Sequence, residues 1–201
     1  MPQSIVLASS SNYRAALLRQ LLAPVGLEFL QFAPDIDESQ VGNEPASAMA
    51  YRLSQAKAKA ALDSYPDSII IASDQVPFHP RAGHILRKPG SEANAIAQLR
   101  ACSEACVEFY TGLCVISPGQ TNNQIQTCVE QFNVIFRALS NAEIERYVAI
   151  EKPFDCAGAF KVEGLGISLF ERLEGRDHNT LIGLPLIQLT DFLRNCGLQI
   201  P

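Results

Sequence analysis

Residues 5–18 read IVLASSSNYRAALL. The apolar residues Ile5, Val6, Leu7 and Ala8 run into three serines, then Asn12, Tyr13 and Arg14, then a leucine-bearing segment. A short apolar run closed by turn residues reads as a buried strand, here 4–8. From Tyr13 to about Leu22, Leu17, Leu18, Leu21 and Leu22 share one side of a helix, which Pro24 and Gly26 end. The chain thus opens strand–turn–helix. Three hydroxyls in a row exceed what a turn needs, and two readings stand. In one, the helix start is an anion cradle: free N–H groups and a partial positive charge, with Ser9, Ser10 and Ser11 as further donors and Arg14 as a fork for phosphate oxygens. In the other, Ser11 or Asn12 is an ordinary cap and Arg14 is solvated.

The same alternation continues outward from this stretch. A strand at 28–32 leads into the acidic loop PDIDES (34–39). A helix over 46–64 carries Met49, Leu53, Ala56 and Ala60 in one stripe, flanked by Arg52 and Lys57. SIIIASDQV (68–76) is a buried strand that stops at a lone acid, Asp74, followed by a Pro- and Gly-containing loop at 77–90. A helix at 91–102 precedes a strand pair, 107–116 and 125–136, joined by the polar loop SPGQTNNQ. Ser140 and Glu143 form a capping box for a helix at 141–150. CAGAFKVEGLG (156–166) is punctuated by glycines, and Pro185 opens a last helix to about Asn195. Strands alternating with helices around an antiparallel pair define an α/β class with a mixed, twisted sheet and flanking helices. With no repeat or linker, residues 1–201 read as a single domain of two lobes around a cleft.

Composition narrows the function. The 201 residues are 47% hydrophobic and 18% charged, with a net charge of −5. No basic run suits nucleic acid, and no apolar run spans a membrane. No basic segment precedes the first apolar run, so a signal peptide is not expected. Six scattered cysteines include no CxxC pair, which fits small buried hydrophobes in a reducing cytoplasm. GxSxG and the Walker P-loop are absent, against a serine hydrolase of that type and a P-loop ATPase.

Several polar residues have chemistry to offer. Asp74 lies where open α/β sheets keep ligands, and it either binds Mg²⁺ and takes a proton from water or makes an Asx turn. Asp35, Asp37 and Glu38 are either a solvated loop or partners of Asp74 in a magnesium site. Lys57, Lys88 and Lys161 are surface lysines singly, and a triphosphate site if gathered with Asp74 and the serines.

In colinear order, LASSSNYRAALL (7–18), Glu38, RLSQAKA (52–58), IIIASDQV (69–76), KP (88–89), YTG (110–112), CAGAFKVEGLG (156–166) and GLPL (183–186) resemble the Maf family of nucleoside triphosphate pyrophosphatases. SDQV, FKVEGLGISLFERLEGRDHNTLIGLPL and the aromatic at position 13 are most like the family branch acting on 7-methyl-GTP. The dTTP/UTP branch has Arg, Thr and Gln at the positions of Tyr13, Gln75 and Glu163. The resemblance implies a Maf/inosine triphosphatase-like fold and cleavage between the α- and β-phosphates. It further implies Mg²⁺ or Mn²⁺ on Glu38 or Asp74, with Asp74 as general base. Lys57 and Lys88 join the catalytic set, and Ser9, Ser11, Arg14 and Lys161 hold phosphates. Tyr13, Gln75 and Glu163 select the base: Tyr13 stacks on the cationic methylated ring and Glu163 accepts from the guanine edge. Alternatives are the same chemistry on dTTP and UTP, or a nucleotide-binding regulator of septum formation. A homodimer and a cytoplasmic location are family-level expectations. Asn12 and Tyr13 stand where the branch has Pro and Trp, the loop 77–87 is about two residues longer, and Ser103-Glu104 replaces Ser-Gly.

Overall fold

The computed structural model describes residues 4–119 and 124–201; within the loop SPGQTNNQ, residues 120–123 lie outside the described residues. In chain order the elements are β1 (Ile5–Ala8), α1 (Asn12–Leu22), β2 (Leu30–Phe32), α2 (Ala46–Leu62), β3 (Ile69–His79), β4 (His84–Ile85) and α3 (Glu92–Cys102). They continue with β5 (Cys106–Ser117), β6 (Gln124–Phe136), α4 (Asn141–Glu151), β7 (Phe170–Gly175), α5 (Asn179–Ile182) and α6 (Leu186–Asn195).

Among the described residues seven strands form one mixed sheet, ordered β2-β1-β3-β5-β6-β7 with β4 beside β3. β1 pairs in parallel with β2, Val6 opposite Leu30, and with β3, Ile5 opposite Ile69. β3–β4 and β6–β7 are antiparallel. The connection from Ser117 to Gln124 is too short for the crossover a parallel β5–β6 pair needs. The chain divides into two compact units, one of Met1–Gln75, Thr111–Glu130 and Asp177–Pro201, the other of Val76–Tyr110 and Gln131–Arg176.

Side-chain alternation organises the first unit. On β1, Ile5 and Leu7 enter a core with Leu17, Leu18 and Leu22 of α1 and Leu186, Leu189 and Leu193 of α6. Val6 and Ala8 point the other way, onto Ala58 and Ala61 of α2. β3 repeats the pattern, Ile69 and Ile71 toward α1 and α6, Ile70 and Ala72 toward α2. Burial on both faces is why these strands are unbroken apolar runs. In the second unit, Phe109, Phe136, Phe160 and Phe170 meet edge to face at centroid distances of 4.9–5.8 Å. The AGAF turn delivers Phe160 to that cluster. Gly158 adopts φ +86°, and a Cβ there would lie 3.1 Å from Phe109.

Two expectations change. β3 does not stop at Asp74 but runs on to His79, because β4 pairs with Phe78 and His79. The buried face of α2 is Ala46, Ala50, Leu53, Ser54, Lys57, Ala58 and Ala61, so Lys57 lies on it rather than beside it. With alanine on every side of this helix, apolar spacing picks out no unique stripe. The capping box of Ser140 and Glu143 forms as expected. Cys102 and Cys114 are buried, and the other four cysteines are half-buried; all six are free. Among the described residues no helix is long and apolar enough to cross a membrane.

Candidate active site

Strand parity places the first candidate pair. Continuing β3 past Ile71 sends Ser73 and Gln75 toward the α1 side and Asp74 toward α2. Asp74 lies just beyond the last parallel pairing with β1, Leu7 opposite Ile71. There it meets Lys57, whose Nζ is 2.5 Å from Asp74 Oδ1, both side chains under one-tenth exposed. The same Nζ lies 2.7 Å from Oε1 of Glu38, whose side chain is 59% exposed. One buried ammonium therefore gathers two carboxylates from distant parts of the sequence.

Gly112 sets how closely α2 approaches. A Cβ on it would sit 2.1 Å from the Ala50 carbonyl oxygen, so glycine at this point of β5 is what admits the α2 backbone. Its neighbour Thr111 faces the other way and donates to Thr180 O at 3.0 Å.

The serine turn is the second part. Ser11 caps α1, its Oγ accepting from Arg14 N at 3.3 Å. Ser9 is buried, and its Oγ accepts from Ser11 N at 3.2 Å and from Arg14 Nη1 at 3.3 Å. Gln31 of β2 donates to Ser9 O at 2.8 Å, tying the turn to the sheet. Arg14 is half-buried rather than simply solvated: its Nε donates to Gly183 O at 2.8 Å. Burial of the guanidinium pushes its pKa down, and the charges of Asp74 and then Glu38 offset part of that. Gly183 adopts φ +110°, with a Cβ position 3.1 Å from Arg14 Nε, so a side chain there would be strained and would press on the guanidinium. Ser73, fully buried, holds its hydroxyl 2.8 Å from both Gly112 O and Gly183 O.

Gln75 is tied down on the same face. Its Nε2 donates to Thr180 O at 2.8 Å and Leu181 O at 3.1 Å. Carbonyls only accept, so the amide orientation is fixed and direct contact with a ligand falls to Oε1. Tyr13, in the first turn of α1, is 39% exposed.

Three expected site residues belong to the second unit. Lys161 Nζ donates to Glu151 O, at the C-terminal end of α4, at 2.8 Å. Its backbone N–H donates to the Tyr147 hydroxyl at 3.0 Å. Glu163 is exposed. Glu151 also fixes the chain after it, Oε1 accepting from Leu165 N at 2.7 Å. Lys88 is exposed, on a segment held by Asn94 Nδ2 donating to Pro89 O at 2.9 Å.

Several supporting residues were given no role by the sequence, although Asp177, Ser73 and Thr111 lie within the quoted family stretches. Asp177 is buried and accepts from Asn179 N at 2.9 Å, Asn179 Nδ2 at 2.8 Å and Ile187 N at 2.8 Å. It thereby caps α6, which lacks a side-chain cap of its own, and orders the turn that presents Gly183. Ser73, Gln31 and Thr111 are likewise ordinary in sequence. The GRD-N spacing ahead of GLPL, an Asx-type turn signal, is what could have found Asp177. Among the described residues no three His, Cys, Asp or Glu side chains cluster as a metal centre.

A family model described as Maf-like protein matches residues 4–196. The chain is 50% identical to 7-methyl-GTP pyrophosphatase from Hahella chejuensis over 98% of this chain and 96% of the relative. It is 49% identical to 7-methyl-GTP pyrophosphatase from Alcanivorax borkumensis, with the same coverage. With 7-methyl-GTP pyrophosphatase from Pseudoalteromonas translucida it shares 44% over 100% of this chain and 95% of the relative.

Proposed function

Because the chain belongs to the Maf family, we propose that it is a nucleoside triphosphate pyrophosphatase converting 7-methyl-GTP to the monophosphate and pyrophosphate. Near-full-length identity to relatives bearing that activity in their names supports the substrate. The observation that carries the chemistry is the Lys57–Asp74 pair, 2.5 Å apart, beside the Arg14–Ser9 junction.

In this reading Asp74 accepts a proton from the water that attacks the α-phosphorus. The new P–O bond forms as the bond to the β-phosphate bridging oxygen breaks, and pyrophosphate leaves. Lys57 and Arg14 offset the negative charge that accumulates on the phosphate oxygens, with Lys88, Lys161 and the hydroxyls of Ser9 and Ser11 holding the chain of phosphates. The places of Lys88, Lys161 and Glu163 rest on the family's sequence pattern. Tyr13 stacks on the cationic methylated base, Glu163 accepts from its Watson–Crick edge, and Gln75 offers Oε1. The donor set fits a hard divalent cation: Glu38 and Asp74 already converge on one ammonium, and Mg²⁺ takes one or two carboxylates plus substrate phosphates. When bound, Mg²⁺ or Mn²⁺ supplies charge neutralisation at the phosphate oxygens.

The test is a nucleotide panel with pyrophosphate detection, with and without added divalent cation. The reading predicts highest kcat/KM for 7-methyl-GTP, with pyrophosphate rather than phosphate as product. Preference for dTTP and UTP would displace the substrate assignment, and tight binding without pyrophosphate would favour a regulator.

A further inference from the structure

The Glu38 carboxylate is 59% exposed, yet it lies on Lys57 at 2.7 Å. With one partner buried and the other mostly in solvent, the ion pair alone fixes the Glu38 carboxylate only loosely, and the chain around it adds to its placement. That chain is clamped to α2. Arg52 donates through Nε to Glu44 Oε2 at 3.0 Å and through Nη2 to Glu44 Oε1 at 2.5 Å. The same Nη2 donates to the carbonyl of Ser39, the residue after Glu38, at 3.0 Å. Glu44 in turn closes the turn on itself: Oε1 accepts from Val41 N at 3.0 Å, and its carbonyl accepts from Gln40 Nε2 at 3.1 Å.

We propose that Arg52 and Glu44 are positioning residues that dock the 39–44 turn on α2 and so hold Glu38 at Lys57 and Asp74. The proposal rests on the pyrophosphatase reading and deepens it. Arg52 and Lys57 are five residues apart on one helix, about 7.5 Å along its axis, so one rigid element sets both the clamp and the ammonium it serves. A planar fork on a carboxylate fixes direction as well as distance, which a lysine at this position cannot do. Hydrogen bonds from Arg52 and then Val41 hold the Glu44 carboxyl below its usual pKa range, consistent with a permanently charged clamp.

Arg52→Gln, Arg52→Lys and Glu44→Gln, each in wild-type and Glu38→Gln backgrounds, test this by kcat, KM and the Mn²⁺ affinity of the nucleotide-free protein measured by EPR. Each clamp variant is expected to lower kcat/KM about 10–100-fold and weaken Mn²⁺ comparably, the size usual for removing a group that orients a ligand. Arg52→Lys, which keeps the charge near Asp74, should fall with Arg52→Gln. In the Glu38→Gln background none of the three should cause further loss, since their effect passes through Glu38. Losses that multiply with Glu38→Gln, or a wild-type-like Arg52→Lys, overturn the positioning role while leaving the proposed reaction standing. Wild-type turnover and Mn²⁺ binding in Glu38→Gln alone overturn the role given to Glu38, and the clamp with it.

Discussion

Lys57 and Lys161 are both family-pattern lysines, and the protein holds them in opposite ways. Lys57 is 6% exposed and pinned between two carboxylates by elements of the first unit. Lys161 is half-buried, and its ammonium rests on a neutral carbonyl, Glu151 O, at the end of α4 in the second unit. A bond from ammonium to an anion is charge-assisted and stronger than one to a carbonyl, so Lys161 is held more loosely than Lys57. The Lys57–Asp74 pair is thus fixed in advance, whereas the side chains of Tyr13 and Glu163 are exposed.

Changes that loosen one side without the other should separate the two. Phe160→Ala removes the aromatic anchor directly before Lys161 and should lower unfolding stability by about 3–5 kcal/mol, read as a shifted urea midpoint. A change under 1 kcal/mol would mean that the aromatic cluster does not hold this segment. Gly112→Ala acts on the other unit: a Cβ 2.1 Å from Ala50 O must push α2 back. Overpacking of this kind costs about 1–3 kcal/mol, and kcat should fall more than KM changes, because Lys57 moves with the helix. Unaltered kcat would detach Lys57 from the chemistry. Smallest is Tyr13→Ala, expected to raise KM for 7-methyl-GTP by the equivalent of about 0.5–2 kcal/mol with kcat nearly kept. An equal loss for GTP would show packing rather than recognition of the methylated base.

Much of this was legible in the sequence, for identifiable reasons. Unbroken apolar runs at 5–8 and 69–72 announced strands buried on both faces, and alternation carried onward assigns Asp74 to the α2 face. The capping box, Pro24 and Gly26 located helix ends through local chemistry. The buried face of α2 was not legible, because alanine marks no side and what selects Ala50 is a glycine on β5, far away in sequence. The length of β3 depended on pairing with β4, a tertiary fact. Among the candidates, Asp74, Lys57 and Glu38 each stood beside a turn or solvated alternative, and the structure joins them in ion pairs. Arg14 read equally well as solvated until Gly183 supplied its partner. Ser73, Asp177, Arg52 and Glu44 make their bonds to backbone or to each other, and such pairings are hard to read from residue type.

The most direct test of the account is turnover of 7-methyl-GTP by Asp74→Asn, with circular dichroism and urea unfolding to confirm the fold. The substitution keeps size and removes the proton acceptor, so kcat is predicted to fall about 10²–10⁴-fold with KM changed only a few-fold. A folded Asp74→Asn protein that releases pyrophosphate at the wild-type rate would contradict it.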